Sequence, residues 1–367
     1  MCKRFVYLLL LVMLSLFLVS GCSSKTTEQT GADQVTITDM VGREVSVGSQ
    51  PAERIVAIGP GALRLCCYVD GIKKVVGVEQ IEIDNPMGRP YFYAFPELKD
   101  LPVIGPGGPN NVPDPEKILA VQPDVIFSTY TTEKASIDEL QDKTGIPVIA
   151  LSYGKVSVFD EDVNKSLELI GKVVGEEEKA QKVISYIEEC KQDLDRRTKQ
   201  IPDNQKPSVY IGALSFKGTH GIESTQGDYS LFKAVNAKNV AERIKQEGSV
   251  MIDKEKLLEW DPDIIFIDLA GYQMVREDYR KNEKFYYTLS AVREGGLYSQ
   301  LPYNFYSTNI GTAIANAYYL GKVLYPEQFQ DIDPEEKADE IYQFLLGKKL
   351  YSRVAEDYGG FGKLELQ

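Results

Sequence analysis

Two stretches of this chain, 139 positions apart, follow one pattern. Pro115-Glu116-Lys117-Ile118-Leu119-Ala120-Val121-Gln122-Pro123-Asp124-Val125-Ile126-Phe127 and Lys254-Glu255-Lys256-Leu257-Leu258-Glu259-Trp260-Asp261-Pro262-Asp263-Ile264-Ile265-Phe266 each read as a short helix, a Pro-Asp turn and a buried strand. Glu, Lys, a Leu/Ile pair, Pro-Asp and Ile-Phe recur residue for residue. A single pair is too few for a solenoid, so the duplication predicts two similar lobes. Repeated strand, turn and helix units predict an α/β chain whose parallel sheets are covered on both faces by helices.

The remaining pattern fills out this outline. Residues 36–47 alternate around a Gly turn and predict a β-hairpin. A strand over 54–58 ends at Gly59-Pro60-Gly61, a helix follows over 62–69, and 75–78 reads as the next strand. Between the two repeats, 161–200 is rich in Glu, Lys, Leu, Ile and Ala, with Val183, Ile184, Ile187 and Leu194 spaced for one helical face. Gly175 breaks this segment and leaves a helix over 176–199, about 36 Å long at 1.5 Å per residue. A rigid connector of that length can bridge two lobes and permits only small hinge motion.

With 367 residues, 43% of them hydrophobic, the chain has enough material for two cores. A net charge of −13 argues against a nucleic-acid partner, whose phosphates call for Lys and Arg. A lone histidine, His220, excludes any site that needs a histidine cluster and counts against a receptor for a bare transition-metal ion.

The charge is unevenly placed. Lys3 and Arg4 precede an apolar run over 5–19, broken only by Tyr7 and Ser15, which predicts a removable signal over 1–21. The run ends in Leu18-Val19-Ser20-Gly21-Cys22, which resembles the bacterial lipoprotein box, with Cys22 as the lipid acceptor. The polar stretch over 22–34 predicts a flexible tether, so the mature chain is expected to hang from the outer face of a membrane. Cys66, Cys67 and Cys190 then remain, odd in number and two of them adjacent, which predicts buried free thiols and no disulfide framework.

The lipobox, the Thr38-Asp39-Met40-Val41-Gly42-Arg43-Glu44-Val45 hairpin, Pro51-Ala52-Glu53-Arg54-Ile55-Val56, the two Pro-Asp repeats and the bridging helix together resemble one family. It is the helix-linked (class III) substrate-binding lipoproteins of ABC importers for iron-siderophores, haem and vitamin B12. The resemblance implies two Rossmann-like lobes, 35–157 and 201–367, joined through 158–200, with the ligand cleft between them. It implies an extracytoplasmic, membrane-anchored protein with no cofactor and no catalysis, partnered by a permease dimer with a cytoplasmic ATPase. In the family each lobe presents a surface glutamate to an arginine pocket on the permease, and Glu116 and Glu255 occupy those places in the repeat.

Cleft residues are expected in loops at strand ends. The Gly-Pro loops offer the amides of Gly59, Pro60-linked Gly61, Gly107 and Gly108, with Arg64 beside the first of them. Tyr91 and Tyr93 belong to an aromatic run, and Tyr303, Asn304 and Tyr306 to another in the second half. Lys217 offers a cation to an anionic group, and His220 offers an imidazole to a metal or its chelate. Two aromatic loops facing a cleft suit a metal chelate such as an iron-siderophore, haem or corrinoid. No local arginine cluster is visible, which leaves a less charged chelate or a metal oxyanion such as molybdate or tungstate open. An enzyme with an interlobe active site is a distant alternative, since no Gly-x-Ser-x-Gly elbow and no complete phosphate loop occur.

Overall fold

The computed structural model describes residues 34–108, 112–130, 133–155, 158–215, 218–246 and 248–366. The expected leader, the expected lipid acceptor Cys22 and the candidate Lys217 lie outside them.

The chain opens with an antiparallel hairpin, β1 (Gln34–Thr38) and β2 (Glu44–Gly48), with Thr36 opposite Ser46. Asp39 closes its turn by accepting from the Val41 and Arg43 amides, and Arg43 reaches across to the Val148 carbonyl at 3.1 Å. That contact pins the hairpin to the first lobe's sheet, formed by β3 (Ile55–Ile58), β4 (Val125–Ser128) and β5 (Val148–Ala150), parallel and in that spatial order. The expected strand over 75–78 is reduced to single parallel bridges, Val75 to Ile55 and Val78 to Val103. Pro102 and Pro106 flank its partner segment and supply no N–H to extend the ladder.

In the second half come β6 (Ser208–Gly212), β7 (Ser224–Gln226), β8 (Lys238–Asn239), β9 (Ser249–Met251), β10 (Ile264–Asp268) and β11 (Leu297–Gln300). Strands β11, β10, β6 and β8 form a parallel sheet in that order, while β7 and β9 pair antiparallel beside it. The two sheets correspond, with β3, β4 and β5 matched by β6, β10 and β11. Both faces of each are buried, as parallel strands require. Ile55, Ala57, Phe127 and Ile149 face one apolar cluster and Val56, Ile58, Ile126 and Val148 another, and the second sheet alternates likewise.

The Pro-Asp pair of the duplication has a structural task. Asp124 accepts from the Glu53 and Arg54 amides at 2.9 Å each, and Asp263 accepts from the Ser208 amide at 2.7 Å and its hydroxyl at 2.6 Å. Each aspartate thus clips the start of the neighbouring strand and fixes the register of its lobe.

The connector is two helices, Glu161–Val174 and Glu177–Thr198, joined at Gly175, whose φ of +76° turns the chain without the steric cost of a Cβ. The second helix has 22 residues, about 33 Å. It buries Val183, Ile184, Ile187 and Leu194 as its periodicity requires, and packs on the buried helix Ile310–Leu324. The helix Pro334–Leu346 adds a second tie, resting on Ile310–Leu324 and also on the first-lobe helices Ala62–Tyr68 and Pro90–Ala94. Cys66, Cys67 and Cys190 are buried free thiols. Among the described residues no helix is long and apolar enough to cross a membrane.

Candidate functional site

Parallel strands end together, so the loops leaving them crowd one end of each sheet. In the first lobe this end is organised around Glu79, which follows Val78 and is 3% exposed. Its Oε2 accepts from the Gly59 amide at the end of β3 (2.9 Å), and its Oε1 accepts from the Tyr130 hydroxyl beyond β4. From the second lobe, Tyr306 donates its hydroxyl to Oε2 at 2.9 Å and accepts from the Gly108 amide at 3.0 Å. Burial pushes the Glu79 carboxyl above its ordinary pKa, and the donors Tyr130, Gly59 and Tyr306 oppose that shift.

Beside it, Arg64 is entirely buried. Its Nη1 donates to the Thr308 carbonyl (2.8 Å) and the Tyr153 hydroxyl (3.2 Å), and its Nη2 to the carbonyls of Phe305 (3.0 Å) and Tyr306 (3.1 Å). Tyr153 in turn donates to the Gly61 carbonyl at 2.9 Å. A Cβ on Gly61 would lie 2.5 Å from the Tyr153 oxygen and 2.8 Å from Arg64 Nη1, and φ there is +84°, so the arrangement requires glycine. The carbonyls face Arg64 because Tyr306 and Ser307 are left-handed, with φ of 50° and 69°. Such a conformation costs on the order of 1–2 kcal/mol per residue, and Asn309 holds the turn through the Tyr303 carbonyl at 3.1 Å.

Arg89 is also entirely buried, donating from Nη1 to the Ile81 carbonyl (2.8 Å) and to Glu82 (2.7 Å), which Tyr91 also reaches at 2.6 Å. Its guanidinium carbon lies 5.2 Å from the ring centres of both Phe305 and Tyr306, and that of Arg64 lies 5.2 Å from the Tyr91 ring. Nε of Arg64 and Nε and Nη2 of Arg89 are buried without a hydrogen-bond partner. Two arginines 25 positions apart in sequence therefore meet beneath one loop of the opposite lobe. No local cluster announced this, and Arg64 lies inside a helix with no outer face, all of Ala62–Tyr68 being buried.

The other expected residues are placed differently from one another. Gly59, Gly61, Gly107, Gly108 and Tyr306 sit in the Glu79–Arg64 cluster, and the Pro60 carbonyl accepts from Thr129 at 3.0 Å. Tyr91 and Tyr303 are buried, 1% and 7% exposed, Tyr91 with its ring against Arg64 and its hydroxyl on Glu82. Tyr93 lies away from the cluster, its hydroxyl on Asp357 and its ring under Arg353 of the helix Tyr351–Tyr358. Asn304 is exposed, and His220 is half-buried with its backbone oxygen against Gly271. No group of three or more His, Cys, Asp and Glu that could hold a metal occurs among the described residues. Sequence reasoning missed Glu79, Tyr130, Tyr153 and Thr308. Glu79 had one legible signal, an acid directly after an apolar strand segment, where open α/β sheets bind ligands.

Glu116 and Glu255 are exposed, each the second residue of its helix, Pro115–Ala120 and Lys254–Trp260. Neither forms an ion pair or hydrogen bond with a described residue.

Residues 69–300 match a family described as periplasmic binding protein. The molybdate-binding protein MolA of Haemophilus influenzae is 25% identical over 332 residues, spanning 85% of this chain and 90% of that protein. An iron-uptake system-binding protein of Bacillus subtilis is 27% identical over 225 residues, 58% of this chain and 67% of that one. Among solved structures, Haemophilus influenzae MolA bound to molybdate superposes with a TM-score of 0.67 at 22% identity, covering 86% of this chain and 98% of that one.

Proposed function

The chain belongs to the periplasmic binding protein family, the solute-binding proteins of ABC importers, and from that premise we propose that it captures an anionic metal-containing solute, a compact oxyanion of the molybdate or tungstate kind, for delivery to a permease dimer. The observation that carries this reading is the pair of wholly buried arginines, Arg64 and Arg89, with three guanidinium nitrogens unpartnered beneath a single loop of the other lobe. Buried guanidinium N–H groups are costly without an acceptor, and an oxyanion supplies several acceptors in a compact shape that Arg matches bidentately. The amides of Gly59 and Gly108 border the same cluster.

A large flat chelate has less support than the aromatic sequence runs promised. Tyr91 and Tyr303 are packed into the core and Tyr93 is engaged elsewhere. Phe305 and Tyr306 keep that second reading open, since both are half-buried in the interlobe loop.

Thermal melting separates the readings. At a hundredfold excess over Kd, a ligand adds about 2.7 kcal/mol to stability, a rise of several degrees for a chain of this size. Millimolar molybdate or tungstate is expected to give that rise. Haem or a ferric siderophore giving it in place of the oxyanions would transfer the function to the chelate reading, and no shift with any of them would remove both.

Export through the 1–21 leader, lipidation at Cys22 and docking through Glu116 and Glu255 complete the proposal. Two unpaired carboxylates at equivalent places on two rigid lobes suit a two-fold partner bearing arginines. Glu116→Ala combined with Glu255→Ala is expected to lower solute uptake by cells at least tenfold and to leave the melting shift intact. Normal uptake by that variant would end the docking assignment.

A further inference from the structure

The duplication carries a second matched pair. Four positions before Glu116 and Glu255 stand Val112 and Met251, again 139 residues apart. Val112 is 78% exposed and Met251 61%, the highest values among the exposed large apolar side chains of the described residues, of which the others lie between 37% and 47%. Their local settings differ. Val112 precedes Pro113 in a loop, whereas Met251 ends β9 opposite Ser224. A common secondary structure therefore does not force both side chains outward. Even a fully extended chain keeps each within about 14 Å of its glutamate, so each lobe carries a strongly exposed apolar side chain in the same segment as its unpaired carboxylate.

We propose that Val112 and Met251 are the apolar half of the docking surface, and that the partner is a two-fold permease whose halves each offer an apolar socket next to a cation. This rests on the docking role given above to Glu116 and Glu255. The duplicated spacing selects a partner with two equivalent halves. Charge selects its sign, because a second copy of this chain would oppose carboxylate to carboxylate, whereas a basic partner pairs with both. The carboxylates steer and orient, and the apolar side chains, once desolvated, slow dissociation.

The test uses the full-length protein and its purified permease–ATPase complex in nanodiscs, with affinity measured by biolayer interferometry over a range of salt. Val112→Ser with Met251→Ser should weaken binding about tenfold or more while leaving the melting temperature and the salt dependence of binding unchanged. Val112→Ile with Met251→Leu should restore it. Glu116→Gln with Glu255→Gln, run in parallel, should weaken binding and flatten its salt dependence. Unchanged affinity of the serine variant overturns the inference, and the glutamine variant then shows whether docking by the glutamates falls with it. Failure of the Ile/Leu variant to restore binding, or a self-associated dimer that the serine variant dissolves, also overturns it.

Discussion

Arg64→Met is expected to lower affinity for molybdate or tungstate at least a hundredfold while leaving the unliganded protein within about 2 kcal/mol of its original stability. A hydrogen bond to a charged group contributes about 1.5–3 kcal/mol, and about 1.4 kcal/mol is a factor of ten in affinity, so losing two such bonds to an oxyanion exceeds a hundredfold. The stability expectation follows from what Arg64 touches. Its hydrogen-bond partners are the carbonyls of Phe305, Tyr306 and Thr308 and the Tyr153 hydroxyl, with no carboxylate among them. The carbonyls left without a donor cost about 1–3 kcal/mol each where they stay dry, the loss of the buried charge offsets part of that, and Met fills most of the vacated volume. Arg64→Lys should rescue little, because an ammonium has no planar fork to hold an oxyanion at two points. Calorimetric titration with tungstate and urea denaturation of the same preparations check both halves. Retained affinity would place the anion elsewhere, and a loss of stability above 4 kcal/mol would make Arg64 a structural strut. The reading also implies that a ligand reaching Arg64 displaces the 305–308 carbonyls, and the left-handed residues Tyr306 and Ser307 are where that loop most readily yields.

Much of the fold could be read before any coordinates because its determinants are local and repeated. The two Pro-Asp units gave the central strand of each sheet, and the positions of Val183, Ile184, Ile187 and Leu194 gave the buried stripe of the connector. The site was less legible because its contacts join residues far apart in the chain. Arg64 meets Thr308 across 244 positions and Tyr306 meets Glu79 across 227, and neither pairing leaves a periodicity. Helical spacing could not place Arg64, since every residue of Ala62–Tyr68 is buried. The aromatic run at Tyr91 was ambiguous for a related reason. Pro90 starts a five-residue helix that turns Tyr91 and Phe92 inward, while Tyr93 is drawn off by Asp357, 264 positions away. Composition showed that rings were abundant, but which of them remained available depended on partners the local sequence does not name.

Asp268→Asn is expected to stabilise the protein at pH 8 by up to about 4 kcal/mol and to change it little near pH 4. Asp268 ends β10, is 2% exposed, and accepts one hydrogen bond, from the Ala270 amide at 2.9 Å. Burial pushes its carboxyl up to about 7 from an ordinary 3.8, and that single amide opposes the shift weakly. Below about 3.8 the carboxyl is protonated in both folded and unfolded chains, so it carries no penalty. Between that value and 7 the unfolded chain releases the proton and the folded chain keeps it, and stability falls by about 1.36 kcal/mol per pH unit. Above 7 the loss is complete, about three units' worth. An Asn carbonyl can keep the Ala270 bond and never ionises, so the difference between the two proteins should grow from pH 4 to pH 7 and then level off. Urea denaturation at pH 4.5, 6 and 8 measures it, and a difference independent of pH would show that Asp268 titrates normally. The carboxyl also bears on the ligand, because its charge is felt by the hydroxyls of Tyr229, Tyr303 and Tyr358 at the end of β10. Near neutral pH a substantial fraction of Asp268 is uncharged, which reduces its repulsion of an incoming anion. Tungstate affinity of the wild-type protein should therefore weaken above pH 7 by more than that of Asp268→Asn.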